Sequence, residues 1–210
     1  LDDQTNSLNG SVLVTPTIGA FALNENSEDA AGIVTLAPGI YHLHISGEGN
    51  SGKAIAEIYD LDSQVRSISN LANASSIGPV NGTSNLLTAG FVIEGDSPVQ
   101  VLIRGIGPTL SGYGVIGALN DPSIAVFDSD QNILARNNNW GTPSFVDGAA
   151  TPAEEETLIS TAETVGAFAL ESSSLDGAVL LTLPPGAYTV QMSGEDNSSG
   201  TGLIEIYTIE

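Results

Sequence analysis

The sequence predicts an all-β protein made of tandem β-sandwich or jelly-roll-like units with one short helix. Short runs of alternating apolar and polar residues are separated by clusters of Gly, Pro, Asn and Asp, the period-two signature of strands joined by turns. One stretch occurs twice: residues 17–62 and 164–210 match at roughly half of their positions, allowing one insertion near Asn197. Both contain the string Gly-Ala-Phe-Ala-Leu. The chain has no cysteine, which excludes disulfides, thiolate metal sites and thiol nucleophiles and leaves stability to packing. At 41% apolar residues it has the material for a core.

The elements follow in order. Residues 1–17 form an N-terminal extension in which Ser11, Val12, Leu13, Val14 and Thr15 make an apolar strand behind the polar stretch 2–7. The first repeat copy, 18–62, is read as a half-module with strands at 19–23, 31–36, 41–46 and 54–59. In its Ala37-Pro38-Gly39 turn, Pro presets one backbone angle and Gly supplies the positive one. A middle β unit, 63–146, offers strands at 86–94, 99–105, 124–127 and 133–137 with a Gly-rich connection at 105–117. Residues 147–163 change pattern: Thr151-Pro152-Ala153-Glu154 reads as a capping box opening a short helix, whose acidic first turn suits the positive end of the helix dipole. The second copy, 164–210, has strands at 166–170, 178–183, 188–193 and 203–209, with the turn Pro184-Pro185-Gly186 repeating the logic of the first. The chain thus reads as the back half of a module followed by one whole module, with Leu1 a processed start or the edge of a fragment.

Charge narrows the function classes. With 25 acidic residues against four basic ones, the formal charge is −21. A phosphate backbone would be repelled, so nucleic acid is excluded as a partner, and anionic lipid is disfavoured. No apolar run approaches the roughly 20 residues that span a bilayer as a helix, so membrane insertion is not expected. Gly-, Ser-, Thr- and Asn-rich β sequence with one lysine fits a secreted or surface-displayed bacterial protein.

Candidate chemistry is sparse. Asp128, Asp130 and Asn132 alternate oxygen ligands as the start of a calcium loop does, but the downstream Gly and bidentate Glu of an EF-hand are missing, and a plain hairpin turn is the competing reading. Calcium is therefore the one cofactor to consider. The equivalent acidic loops 47–50 and 194–197 read as structural inheritance or a repeated weak cation site. His42 and His44 share a strand face at zinc-compatible spacing, yet Thr189 and Gln191 hold those places in the second copy, which argues for a polar face. Those are the only histidines, and no Gly-x-Ser-x-Gly elbow occurs, so nucleophilic catalysis lacks its parts. Arg104-Gly-Ile-Gly-Pro108 lacks the Lys-Ser/Thr of a phosphate loop. Trp140, the single tryptophan, reads as core. Asn-x-Ser/Thr sequons stand at Asn9, Asn73, Asn81 and Asn197.

The strings Ala89-Gly-Phe-Val-Ile-Glu-Gly95, Val101-Leu-Ile-Arg-Gly-Ile-Gly-Pro-Thr-Leu110, Gly114-Val-Ile-Gly-Ala-Leu-Asn-Asp-Pro122, Asn139-Trp140 and Leu183-Pro-Pro-Gly-Ala-Tyr-Thr-Val190 resemble a tandem repeat module of very large secreted proteins of environmental bacteria. That resemblance implies a surface, matrix or adhesive role without catalysis. Residues 121–137 are more distantly similar to the later strands of the bacterial pre-peptidase C-terminal domain, a β-sandwich accessory module, with Gln131-Asn132 where that family has an Asp-Gly turn.

The expected function is a structural subunit of an extracellular filament or surface layer. Ser11, Val12, Leu13, Val14 and Thr15 would complete the sheet of the next subunit head to tail, making the chain its own partner. The alternative is a monomeric adhesive or carbohydrate-binding module that meets glycans through loops such as 105–117. An enzyme is not expected.

Overall fold

The computed structural model describes residues 20, 22–24, 27–47, 49, 52–60, 71–142, 145–146 and 153–209. They fall into two compact units, 1–71 and 72–210.

The second unit is a sandwich of two antiparallel sheets. Its strands are β1 (Asn73–Asn81), β2 (Leu87–Ile93), β3 (Val99–Ile106), β4 (Pro122–Phe127), β5 (Ile133–Asn137), β6 (Phe145–Val146), β7 (Gly177–Leu183), β8 (Gly186–Gly194) and β9 (Ser199–Ile209). One sheet has the order β1-β9-β3-β7 and the other β2-β8-β4-β5-β6. Alternate residues of the facing strands fill the space between them: Val101, Ile103, Ile124, Val126, Val190, Met192, Ile204 and Ile206 are all buried in one cluster. A second, smaller cluster lies on the outer face of the four-stranded sheet, where Leu102, Ala178 and Tyr207 meet Leu158 and Trp140. Leu158 belongs to α1 (Glu155–Thr164), so the helix covers one sheet from outside.

Most expected strands of this unit recur within a residue or two, and β5 has the expected bounds. Three differences have physical causes. β1 went unforeseen because its sequence, NASSIGPVN, lacks apolar alternation and contains Pro79; it is an edge strand, where a missing donor is tolerated. The helix begins at Glu155 with extended Glu154 as N-cap and no side-chain cap bond, rather than in a Thr151 capping box; Thr151 and Pro152 lie outside the described residues. The strand expected at 166–170 does not form. Gly166 adopts φ +73°, and the Gly166 N–H to Glu163 and Ala167 N–H to Ala162 bonds close a Schellman motif that turns the chain off the helix into an unpaired extended segment.

The middle stretch and the second copy, two β units of the one whole module expected after the half module, interleave in a single sandwich. Residues 72–146, hereafter the front half, supply β1 to β6, and the second copy supplies β7 to β9. No two back-half strands are neighbours: β9 lies between β1 and β3, β8 between β2 and β4, and β7 pairs with β3.

That interleaving accounts for the first unit. The described residues of the first copy form no strand or helix, although 31–36, 41–46 and 54–59 were expected as strands. Each of their counterparts pairs only with the front half, and no described residue pairs with the first copy in that way. What the first copy does form is local. Tyr41 Oη donates to the Ala37 carbonyl at 2.7 Å, as Tyr188 Oη does to Pro184 at 2.7 Å. The Ser27 N–H donates to Asn24 at 3.1 Å, as Ser174 does to Glu171 at 3.0 Å. Contacts within a few residues persist, and the cross-strand contacts are missing.

Candidate functional site

Asp128, Asp130 and Asn132 come together in the turn between β4 and β5. Asp128 Oδ1 accepts the Asp130 and Asn132 backbone N–H groups at 2.9 and 2.8 Å, and Oδ2 accepts Asn132 Nδ2 at 2.9 Å. The Asn132 side-chain bond, then its backbone bond, holds the Asp128 carboxyl below the usual range. Gln131 sits at φ +66°, as the tight reversal requires. These bonds account for the residues as an Asx-type hairpin turn. Among the described residues no group of three or more His, Cys, Asp or Glu side chains is placed to hold a metal ion.

Other expected positions scatter. Ser11, Val12, Leu13, Val14, Thr15 and Asn9 lie outside the described residues. Asn73 and Asn81 bracket edge strand β1, and Asn197 stands exposed at φ +58° in the short 3₁₀ turn after β8. The His42 and His44 rings are 6.5 Å apart, edge to face, and exposed. Loop 107–117 carries a 3₁₀ turn (Pro108–Tyr113) and presents Tyr113 and Ile116 to solvent, Ile116 being 97% exposed.

The most elaborate chemistry lies at the seam between the two halves of the sandwich. Arg104 on β3, 1% exposed, is the register partner of Glu205 on β9. Its Nε donates to Glu205 Oε2 at 2.9 Å, its Nη2 donates to the same oxygen, and its Nη1 donates to the Phe168 carbonyl. The Phe168 ring covers the guanidinium at 4.5 Å and itself packs on Tyr113 at 4.7 Å. Tyr207 Oη donates to Glu205 Oε1 at 3.1 Å. Burial, reinforced by Glu205, pushes the Tyr207 hydroxyl up to about 12. Gly-Ala-Phe-Ala-Leu is thus a lid over a buried ion pair rather than a strand.

A second anchor crosses the same seam. Asp176, fully buried just before β7, accepts the Gly107 N–H on Oδ1 at 2.7 Å and the Thr109 and Ser174 hydroxyls on Oδ2. Ser174 Oγ in turn accepts Trp140 Nε1 at 3.1 Å. A buried carboxylate stays charged only when its lone pairs are met, and three donors from two segments meet these. Asn137 completes the set, donating to the Asn139 and Thr142 carbonyls and accepting the Ala178 N–H at 3.0 Å. These groups bind strands to strands, and nothing in their geometry presents a reacting atom.

Sequence reading passed over Arg104, Glu205 and Asp176. Two signals mark them: Arg104 interrupts the apolar run Val101-Leu-Ile-Arg-Gly-Ile106, and Asp176 and Glu205 recur as Asp29 and Glu57 while roughly half of the repeat diverges. The outer surface offers two shallow grooves of about 230 and 250 Å³, lined by short polar and aliphatic side chains. The sheet edges are β1 and β7 on one side and β2 and β6 on the other. β1 and β2 carry exposed Ile77 and Val92.

No family model matches the chain, and no curated protein matches it. Among solved structures it is similar to the pre-peptidase C-terminal domain of collagenase from Bacillus anthracis, seen in a 1.0 Å crystal structure, with 14% identity, 64% of this chain and 89% of that chain covered, and a TM-score of 0.36. At that distance the likeness carries no argument about function.

Proposed function

We propose that the protein is a structural subunit of an extracellular bacterial filament or surface layer, joined head to tail by β-strand complementation. One observation carries the reading: besides a complete sandwich, the chain holds a second set of sheet-forming sequence whose described residues form no strand. Ile33, Val34, Leu36, Leu43 and Ile45 are exposed there, and Ile40 is 90% exposed. Apolar β sequence without strand partners associates with other chains by main-chain hydrogen bonding. The charge of −21 keeps such a surface from non-specific sticking and makes divalent cations, calcium first, the natural bridge between acidic neighbours.

Electron microscopy and a sizing column, each with calcium and with chelator, test this. Filaments support the reading, and their loss in chelator assigns calcium a role. Deleting residues 1–15 tests Ser11–Thr15 as the donor strand, and normal assembly of the deletion would remove that segment from the proposal. The second reading, a monomeric adhesive module binding glycans, draws on exposed Tyr113 and Ile116 in loop 107–117. A monomer in both conditions, with saturable glycan binding lost in Tyr113→Ala, favours it.

A further inference from the structure

We infer that the first repeat copy is the back half of a second sandwich, a docking element for an unfilled front half built like residues 72–146 and carrying an arginine on its central strand. This rests on the strand-complementation reading and adds residues 22–60 to the complementing role given there to Ser11–Thr15.

The second copy shows what a back half of this kind requires, because its partner lies in the same chain. Glu205 needs Arg104, and Asp176 needs the Gly107 N–H and the Thr109 hydroxyl. Gly200 needs its lack of a side chain, since a Cβ there would stand 2.7 Å from Gly117 O and from Leu119 Cα. The first copy keeps all three as Glu57, Asp29 and Gly52, yet residues 17–62 contain no arginine, and nothing lies within 4 Å of where a Gly52 Cβ would be. Burial and then Glu57 push the Tyr59 hydroxyl up, as burial and Glu205 do that of Tyr207. The first copy holds its own half of the anchor, and the half that a front half supplies is absent among the described residues.

Cross-sandwich packing leaves the same mark. A Cβ on Gly202 would stand 2.4 Å from Met192 Sδ. The first copy has Ala54 and Ile45 at these two places, a methyl added where the facing side chain is shorter. Such a paired change fits strands on opposite sheets of a closed sandwich. Gly32 and Ala56 stand where Val179 and Ile204 are buried, so the fitting partner carries extra bulk opposite them. Residues 72–146 of a second copy are not that partner, because their own second repeat copy fills them.

The test supplies a front half by tether: a second copy of residues 72–163 is inserted between Pro16 and Thr17 of the full chain, the junction that Glu163 and Thr164 make in the second copy. Amide hydrogen exchange at 31–45 and 54–59 is then compared with the unaltered chain. Protection is expected to rise about a hundredfold or more. Glu57→Lys should abolish the gain, and Arg104→Glu in the inserted copy should restore it. Ala56→Ile, which restores the bulk buried at Ile204, keeps the test decisive if the smaller side chains leave the new module weak. No gain in either version overturns the inference. So does protection that appears in the unaltered chain as its concentration rises, which would assign the face to a second copy. Filament formation is read separately by microscopy of the unaltered chain, so the two proposals fail independently.

Discussion

Replacing Glu205 by leucine should cost far more than replacing both members of the ion pair. In Glu205→Leu the Arg104 guanidinium keeps the Phe168 carbonyl and ring but loses the carboxylate that takes two of its donors, while remaining 1% exposed. Breaking a buried pair from one side costs about 3–5 kcal/mol, because an uncompensated charge stays behind. For a unit of this size each kcal/mol moves the midpoint by roughly 3–4 °C, so the variant should melt about 10–20 °C lower. The double variant Arg104→Met, Glu205→Leu exchanges both charges for apolar bulk beside Leu102 and Tyr207, and should lie within about 1–2 kcal/mol of the parent or above it. Urea unfolding followed by Trp140 fluorescence is the assay. As the single tryptophan, packed in the same outer-face cluster, it reports on the sandwich alone. A loss below about 1 kcal/mol in Glu205→Leu, or a double variant weaker than both singles, would refute the pair as the anchor of the seam.

Three further outcomes are expected. Tyr207 should ionise only near pH 12 in a spectrophotometric titration; its folded value is raised, so its contribution to stability is complete below the unfolded value near 10 and is lost as pH rises toward 12. Asp121 is pushed upward by burial, then by Glu195 and Asp196, so its ionised form disfavours the fold: Asp121→Asn should melt higher than the parent at pH 7, with the gap closing as pH falls toward 4, and an equal gap at both pH values would contradict the assignment. Tyr188→Phe removes the 2.7 Å bond to Pro184 but keeps the stacking on Phe91, and should cost about 1 kcal/mol by urea denaturation.

Strands β2 to β5 and β7 to β9 were legible because buried alternation between turn residues is a local signal. β1 was not, since an edge strand of Asn, Ser, Gly and Pro has almost no apolar side to show. The segment 166–170 misled for the opposite reason. Phe168 and Leu170 alternate like a strand, but after the Schellman turn at Gly166 Phe168 lies over Arg104 and Leu170 packs on the outer-face cluster instead of entering a sheet. Of the seam, the repeat marks the acids as recurring, yet their partners lie in the front half at sequence separations of 67 to 101 residues, which no local pattern reveals. The interleaving of the middle and repeat units was hidden on the same ground. A sequence repeat delimits what recurs, and only strand pairing delimits what folds.

That distinction has a kinetic consequence. The register from Asn73 opposite Tyr207 to Asn81 opposite Ser199 joins the first strand of the sandwich to its last, and every back-half strand waits for a front-half neighbour. Loop-closure entropy is therefore spent before most sheet contacts return it, and folding should be slow. A back half met by no front half has no lower-cost pairing within itself, because none of its strands adjoin in the native order. It stays open, with its tyrosine turn set, until a front half arrives. Local elements that are formed in advance lower the ordering cost of docking, and this favours complementation by a front half over collapse of the half onto itself.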